Sequence, residues 1–323
     1  EEQKSAVMNT LRNPVSILTG KAGCGKSSTV AAIVGIMKQK KLNINLCALS
    51  GRASSKMTEL TGLEGVTIHR LLGLGAGDEG GTFTGREPHG KNNPLDTDLL
   101  VLDETSMVGS DLILAILEAI PDGGRLLMVG DIAQLESIDA GNVLKDCMVS
   151  GYVPITTLSK IQRQQSNSAI ITESLKVSNG TQLFSPTWAG TEVRGVLQDL
   201  KIIAFSSAEI SQAKVIEEYK LLLNQGVNPE DIQIIVPMRL RGHISCKQLN
   251  TIIQSMVNGT ANSFKDLTVS YTEKDQHFST TFRERDKIII IKNDYNAKNI
   301  YGHQVSIYNG NVGYIKTIDH RNR

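Results

Sequence analysis

Short apolar runs alternate with stretches of helical spacing along the first half of the chain. Five runs have the length and composition of buried strands, at residues 15–18, 44–49, 99–104, 125–129 and 155–158. Three stretches instead repeat apolar side chains at the spacing of one helical face, at residues 1–11, 27–38 and 111–120. This alternation predicts an α/β fold for the first half of the chain.

The same alternation starts again after about residue 160. Helices are expected at residues 167–177, 207–223 and 245–256, and strands at residues 201–205, 232–236 and 282–291. A tight turn at residues 309–313 leads into an apolar stretch at 314–318, which predicts a small β-module at the tail. The pattern therefore predicts three parts: residues 1–160, a second α/β domain at 161–280, and the module at 281–323.

Residues 73–93 interrupt the pattern of the first part. They are rich in glycine and poor in apolar residues, and the string TFTG within them could form a small β-ribbon. A glycine-rich insertion between two sheet strands is either a disordered loop or an exposed functional hairpin. We assign residues 73–95 to this insert.

Composition narrows the class of protein. A length of 323 residues predicts two or more domains, and the four scattered cysteines argue against a disulfide framework or a zinc site. A net charge of +1 and an aromatic content of 4% weaken a nucleic-acid interpretation without excluding it. The chain begins EEQKSAV and contains no apolar run of membrane-spanning length, so a cytoplasmic protein is expected.

The strongest local motif is GKAGCGKSS, which follows the first predicted strand and opens a predicted helix. Gly20, Gly25, Lys26 and Ser27 match the phosphate-binding loop pattern G-x-x-x-x-G-K-[ST]. In such a loop the main-chain N–H groups and the helix N-terminus surround a phosphate, the lysine reaches the outer phosphates, and the serine hydroxyl binds Mg²⁺. The alternative is a glycine turn without a ligand. The candidate nucleotide-binding residues of this loop are Gly20, Lys21, Ala22, Gly23, Cys24, Gly25, Lys26, Ser27 and Ser28. Gln3 is a further candidate because its amide could read an adenine edge, although on its own a plain surface residue is the stronger interpretation.

Acidic and amide side chains follow two other predicted strands. Asp103 and Glu104 end the run LLVLDE, where Asp103 is expected to hold Mg²⁺ and Glu104 to polarise the attacking water as general base. Gln134 follows the strand at 125–129 in the string GDIAQLESI and is expected to contact a γ-phosphate or its water. Taken alone, each group is also compatible with an ordinary strand end or polar loop.

Several basic and polar residues are candidates for phosphate contacts. Ser50, Arg52 and Lys56 lie where the second predicted strand passes into a helix, a position suited to the phosphates of a polymer or to plain solvation. His69 is either a nucleic-acid contact or a core histidine, and its spacing favours the core. Arg163 could sense transition-state charge, and Arg239 could face phosphates or solvent.

The order of these motifs resembles superfamily 1 DNA helicases of the RecD-like branch. The matching strings are GKAGCGKSS, ALSGRASSKMTELTG with VTIHRLLG, VLDETSMV, GDIAQLESI, LSKIQRQ, VPMR with QLN, and DKIIIIKNDY with NGNVG. The resemblance implies two RecA-like domains that bind ATP between them, the second incomplete, and 5′-to-3′ movement on single-stranded DNA with strand separation. It also implies a partial SH3-like β-module near residues 288–318 and a strand-splitting pin at the insert.

The resemblance also implies residue roles. Gln3 would read adenine, Ser50, Arg52 and His69 would lie in segments that contact DNA, and Arg163 would reach the γ-phosphate. Single-stranded DNA, its junctions with duplex DNA, and nuclease, replication or repair proteins are the implied partners.

Two departures from the family pattern affect these expectations. The loop has serine where many relatives have threonine, and serine can still bind Mg²⁺. The family's last two motifs do not occur before Arg323, so we expect either a longer protein or a fragment with weak unwinding. The alternative function is an ATP-binding switch subunit that is regulated by DNA or a partner and does not unwind.

Overall fold

The computed structural model describes residues 1–21, 23–74, 87–159, 167–259, 266–273 and 276–319. Within it the chain forms two compact units. The first unit comprises Glu1–Thr181 together with Ile290–Asn311, and the second comprises Gln182–Ile289 together with the chain from Val312 onwards. The boundaries of these two units differ from the predicted division at residues 160 and 280. The three-part division stays a prediction.

A six-stranded parallel sheet forms the centre of the first unit. Its strand order is β3-β2-β4-β5-β1-β6. The strands are β1 (Val15–Gly20), β2 (Ile44–Ala48), β3 (Gly65–Thr67), β4 (Leu99–Asp103), β5 (Arg125–Gly130) and β6 (Ile155–Leu158). The five strands expected from apolar runs are confirmed, whereas the three-residue strand β3 was not predicted. The α/β fold is therefore confirmed.

Helices cover both faces of this sheet. They are α1 (Glu2–Arg12), α2 (Lys26–Gln39), α3 (Gly51–Thr61), α4 (Ile68–Leu72), α5 (Ser110–Ala119) and α6 (Val143–Ser150). A further helix of the same unit is α7 (Ala169–Ser178). Neighbouring strand residues alternate between the two cores: Leu18 and Val101 pack with α1, α2 and α3, while Ile17 and Leu102 pack with α4, α5 and α6. A strand buried on both faces is apolar throughout, which explains why unbroken apolar runs predicted these strands.

A β-hairpin near the tail also belongs to the first unit. It consists of β12 (Asp294–Lys298) and β13 (Gln304–Ile307), which pair antiparallel with an irregularity between Asp294 and Ala297. The segment after β13 packs on the start of α3, because a Cβ placed on Gly51 would lie 2.7 Å from the Cβ of Tyr308. Part of the predicted β-module thus lies in the first unit.

The second unit contains two long helices and three antiparallel strand pairs. The helices are α8 (Ala208–Asn224) and α9 (Cys246–Val257). The pairs are β7 (Thr191–Arg194) with β8 (Leu200–Ile203), β9 (Asp266–Glu273) with β10 (Gln276–Arg283), and β11 (Lys287–Ile289) with β14 (Val312–Tyr314). Among the described residues of this unit the strands pair only in twos, so a second RecA-like domain stays a prediction.

Two strand predictions in the second unit are corrected. Residues 232–236 were expected to form a buried strand, but they lie outside the strands and Ile235 is 90% exposed. The Lys287 ammonium donates to the carbonyl oxygens of Pro229, Glu230 and Ile232, so a side chain rather than a neighbouring strand holds the start of this segment.

The single strand expected at residues 282–291 is divided. A turn at Arg285, with a φ of 73°, separates β10 from β11. The Asp286 carboxylate accepts from the Arg283 N–H at 2.7 Å and holds this turn. Strand β10 itself pairs antiparallel with β9, from Gln276 opposite Glu273 to Arg283 opposite Asp266. None of the helices in the described part of the chain is long and apolar enough to cross a bilayer.

Candidate functional site

The glycine loop joins β1 to α2 at the carboxyl edge of the sheet. Gly20 lies against β6, since a Cβ placed on it would be 2.7 Å from the carbonyl oxygen of Leu158. Gly23 and Gly25 have φ values of 79° and 88°, in the left-handed region that favours glycine. Among the described residues, no side-chain hydrogen bond caps the N-terminus of α2, so its first N–H groups are available to an anion. The backbone of the loop therefore fits a phosphate.

Lys26 begins α2 and lines the same pocket as Ser27 and Ser28. Its Nζ donates to the carbonyl oxygens of Gly20 and Lys21. These two carbonyls hold the ammonium at the mouth of the loop, where outer phosphates would lie. Of the remaining predicted loop residues, Cys24 is buried and Ala22 lies outside the described residues.

Helix α1 brings Gln3 beside the loop. The Gln3 side-chain nitrogen lies 3.4 Å from the position that a Cβ of Gly25 would occupy. The helix is fixed to the β6 strand by a hydrogen bond from Asn9 to Thr156 at 2.9 Å, and the N–H of Ser159 donates to the Glu2 carboxylate at 3.0 Å. The predicted adenine-reading residue is therefore adjacent to the loop, although 22 positions separate it from Gly25 along the chain.

The two predicted acids lie at the end of β4. Asp103 is the last residue of the strand, and its Oδ1 accepts from the Glu104 N–H at 2.9 Å. Glu104 has φ 53° and ψ 38°, a left-handed conformation that costs a non-glycine residue about 1–2 kcal/mol. Such strain at a carboxylate inside a pocket points to a functional role for the residue.

The environment raises the pKa of both carboxyls. Burial is the main reason that the pKa of Asp103 lies above its usual range, and the Glu104 N–H and the charges of Lys26 and Lys56 oppose it. Burial also raises the pKa of Glu104, with Asp103 and Asp131 adding to the effect and Lys26 and Lys56 opposing it. A carboxylate with a raised pKa is a better proton acceptor, as a general base requires.

Gln134 lies in the turn that follows β5. Its N–H donates to the Asp131 carbonyl at 3.0 Å, and the Asp131 carboxylate accepts from the Ala133 N–H at 3.0 Å. Gln134 is exposed and lines the pocket. The sheet order β4-β5-β1 brings the acids, the glutamine and the glycine loop to the ends of three adjacent strands.

The pocket has a volume of about 380 Å³ and includes one face of α3. The α3 residues that line it are Ala53, Lys56, Met57, Leu60 and Thr61, spaced three and four positions apart. Sequence reasoning placed Lys56 with the polymer contacts and missed this wall of the pocket. Two features of the sequence could have predicted this wall. The residues repeat at the spacing of one helical face, and the helix begins at the edge of the sheet where ligands bind.

The residues of the pocket fit a Mg²⁺ ion. The Ser27 hydroxyl and the Asp103 carboxylate line the same pocket, and both are the oxygen donors that Mg²⁺ prefers. Within the described ranges no group of three or more histidine, cysteine, aspartate or glutamate side chains could hold a metal. A Mg²⁺ ion bound by one or two protein oxygens and by substrate phosphates does not need such a group.

The predicted DNA contacts of the first unit lie at a neighbouring part of the same sheet edge. Ser50 precedes α3, and its hydroxyl accepts from the Ala53 N–H at 3.3 Å, while Arg52 is exposed in the first turn. His69 is exposed on α4, so its interpretation as a core histidine is wrong. Because β2 and β3 are neighbours and Ala48 pairs with Thr67, Ser50 and His69 each follow that pair by two residues.

Two predicted arginines and the glycine-rich insert are not among the described residues that line the pocket. Arg239 is exposed in the second unit, and Arg163 lies outside the described residues. The insert is described only at its ends, where the His89 N–H donates to the Leu72 carbonyl at 2.8 Å and Gly90 bridges to Asn93. The TFTG string lies outside the described residues, and the predicted pin stays a prediction.

The sheet order, the glycine loop and the acids at neighbouring strand ends define an α/β protein of the phosphate-loop class. The chain belongs to the AAA domain family, whose sequence profile matches residues 1–194.

The chain resembles two curated relatives of the RecD type. The chain is 30% identical over 315 residues to the ATP-dependent RecD2 DNA helicase of Deinococcus radiodurans, covering 98% of this chain and 38% of that protein. It is 35% identical over 169 residues to the RecBCD enzyme subunit RecD of Mycolicibacterium smegmatis, covering 45% of this chain and 30% of that protein. The chain thus spans about a third of the length of these relatives.

Two solved structures share the fold. One is a Pif1 helicase in a study of DNA unwinding at forked duplexes, with a TM-score of 0.54, 18% identity and coverage of 99% of this chain and 71% of that one. The other is Bacteroides Pif1 bound to single-stranded DNA, with a TM-score of 0.50, 18% identity and coverage of 99% and 70%. The predicted resemblance to RecD-like superfamily 1 helicases is confirmed.

Proposed function

We propose that this chain is the motor portion of an ATP-dependent DNA helicase that moves 5′-to-3′ along single-stranded DNA. One observation carries the proposal: Lys26, Asp103, Glu104 and Gln134 line one pocket beside the glycine loop. The names of the curated relatives, an ATP-dependent DNA helicase and a RecBCD subunit, support the choice of ATP and DNA as ligands. The proposed direction rests on the family resemblance.

The residues of the pocket would divide the work of hydrolysis. Lys26 would exchange its carbonyl partners for the outer phosphates, and Gln3 would hold the adenine edge. Ser27 and Asp103 would hold Mg²⁺, which supplies positive charge to the phosphate oxygens when it is bound. Glu104 would accept the proton of the attacking water, and Gln134 would orient that water or the γ-phosphate. Arg163 would add charge stabilisation in the transition state.

DNA would bind at the neighbouring part of the sheet edge. Ser50, Arg52 and His69 would hold phosphate oxygens of a single strand. Arg239 is a separate candidate for a phosphate contact. Movement requires that ATP favour one conformation over another. A 100-fold preference for one conformation corresponds to about 2.7 kcal/mol, which a few phosphate contacts can supply.

A comparison of ATP hydrolysis with and without single-stranded DNA tests the proposal in the intact protein. We expect a large stimulation by DNA, unwinding of duplexes with a 5′ single-stranded tail, and no unwinding of duplexes with only a 3′ tail. The matched control is Lys26→Ala, which should lose both activities. Hydrolysis that DNA leaves unchanged would refute the motor and would leave an ATP-regulated switch subunit as the function.

A further inference from the structure

Helix α3 contributes residues both to the proposed DNA-binding edge and to the nucleotide pocket. Its first turn, with Ser50 as cap and Arg52 exposed, lies at the predicted DNA edge. Its inner face forms a wall of the nucleotide pocket. Arg52 and Lys56 are four positions apart, so about 6 Å of helix axis separates the two places.

Lys56 is the charged residue of that wall. The other α3 residues that line the pocket, Ala53, Met57, Leu60 and Thr61, carry no charge. Within the described part of the chain, no hydrogen bond or ion pair holds the Lys56 ammonium, whereas the Lys26 ammonium donates to two carbonyl oxygens. The Lys56 charge nevertheless lowers the pKa of both Asp103 and Glu104, although burial outweighs this effect. The Lys56 ammonium is therefore close enough to interact with the two acids that line the pocket.

Among the described residues around the pocket, negatively charged side chains outnumber positively charged ones. Three carboxylates act there, those of Asp103, Glu104 and Asp131, against the ammonium groups of Lys26 and Lys56. A nucleotide triphosphate adds several negative charges, of which Mg²⁺ neutralises two. Without Lys56, the described residues around the pocket would provide only the Lys26 ammonium, beside a bound Mg²⁺, against three carboxylates and a polyphosphate. Repulsion between like charges is large at such short range.

We propose that Lys56 binds the terminal phosphate of the nucleotide and so distinguishes a triphosphate from a diphosphate. The inference rests on the proposed nucleotide site and adds to it a residue from a helix outside the glycine loop. A lysine is suited to this position because its ammonium is a compact charge on a flexible stem that reaches a phosphate without bidentate geometry.

The position of Lys56 on α3 has a consequence for DNA binding. A helix that is drawn towards the terminal phosphate at Lys56 carries Arg52 with it, because one rigid turn joins the two residues. Binding of a single strand and binding of a triphosphate then affect each other through α3, and the effect is reciprocal. Loss of the terminal phosphate would release this coupling.

Calorimetric titration of the intact protein tests the proposal. The probes are Mg²⁺ with ADP and Mg²⁺ with a non-hydrolysable ATP analogue, and the variants are Lys56→Met, Lys56→Arg and Lys40→Met. Methionine keeps the length and helix propensity of lysine without its charge. Lys40 is an exposed lysine at the end of α2 and serves as the control.

We expect Lys56→Met to weaken binding of the ATP analogue by roughly tenfold or more, the usual effect of losing a hydrogen bond to a charged group. Binding of ADP should change little, Lys56→Arg should retain most of the affinity, and Lys40→Met should resemble wild type. Single-stranded DNA should change the affinity for the analogue less in Lys56→Met than in wild type.

Three results would overturn the inference: unchanged affinity for the analogue, an equal loss for ADP and the analogue, or the same loss in Lys40→Met. The proposed function can fail separately. If DNA has no effect on wild-type hydrolysis while Lys56→Met still loses selectivity for the triphosphate, the motor is refuted and the role of Lys56 stands.

Discussion

Replacement of Gly20 by alanine tests whether the glycine loop is positioned by its contact with β6. Gly20 is the last residue of β1 and pairs with Leu158, the last residue of β6. An added Cβ would lie 2.7 Å from the Leu158 carbonyl oxygen and 3.1 Å from its Cβ. Ordinary contact begins near 3.4 Å, so the two strand ends would have to separate by about 0.7 Å.

The expected cost follows from this overlap and from the backbone conformation. Overpacking against a rigid neighbour costs about 1–3 kcal/mol, and the φ of 157° at Gly20 disfavours an L-residue further. We therefore expect Gly20→Ala to lower the free energy of unfolding by about 2–4 kcal/mol. Because the loop starts at this residue, nucleotide affinity should fall as well.

A second glycine provides the control. Gly35 lies inside α2, and no atom is found within 4 Å of the Cβ that an alanine would add there. Gly35→Ala should therefore raise the free energy of unfolding by about 0.5–1 kcal/mol, as expected for glycine in a helix interior. Urea unfolding of both variants gives the comparison, and nucleotide titration at a temperature where both are folded gives the effect on binding. If Gly20→Ala unfolds like wild type, the close approach of the loop to β6 does not exist.

Three further substitutions test the pocket. Lys26→Ala should abolish nucleotide binding in a calorimetric titration, because the amine that would reach the outer phosphates is lost; normal binding would refute the phosphate loop. Glu104→Gln should keep nucleotide affinity but stop phosphate release, since an amide cannot accept the proton; continued hydrolysis would assign the base to another residue. Burial raises the pKa of Asp103, so the stability contributed by this carboxyl is present below its ordinary pKa and is lost as the pH rises through the raised value. Asp103→Asn should therefore gain stability relative to wild type as the pH increases from about 4 to about 8 in EDTA, measured by urea unfolding. The exposed Asp122→Asn should show no such trend, and an equal trend in both variants would contradict the argument.

The sequence alone determined the elements whose signal is local. The strands of the parallel sheet are buried on both faces, so short unbroken apolar runs were sufficient to predict them. The glycine loop needs glycine at fixed positions before a helix, and nine consecutive residues are enough to identify that pattern. The acids after β4 and Gln134 after β5 follow from the same rule, because the ends of parallel strands meet at one edge.

Tertiary structure decided the features that depend on distant partners. Residues 232–236 have the same apolar character as the confirmed strands, yet no strand of the described chain pairs with them, and Lys287 holds the start of the segment instead. A five-residue apolar run contains no information about whether a partner strand lies beside it. Burial of His69 was equally undetermined, since a short helix can turn either side to the core.

The pocket itself shows the same division. The roles of Lys26, Asp103 and Gln134 could be predicted from spacing, but their proximity depends on the strand order β4-β5-β1. In that order β5 pairs with β1, which lies more than 100 residues earlier in the chain, as well as with β4. The wall formed by α3, the raised pKa values of Asp103 and Glu104, and the reach of Lys56 towards both acids follow from that packing. Burial and charge at a point are sums over all neighbours in space, and only the folded chain determines which neighbours those are.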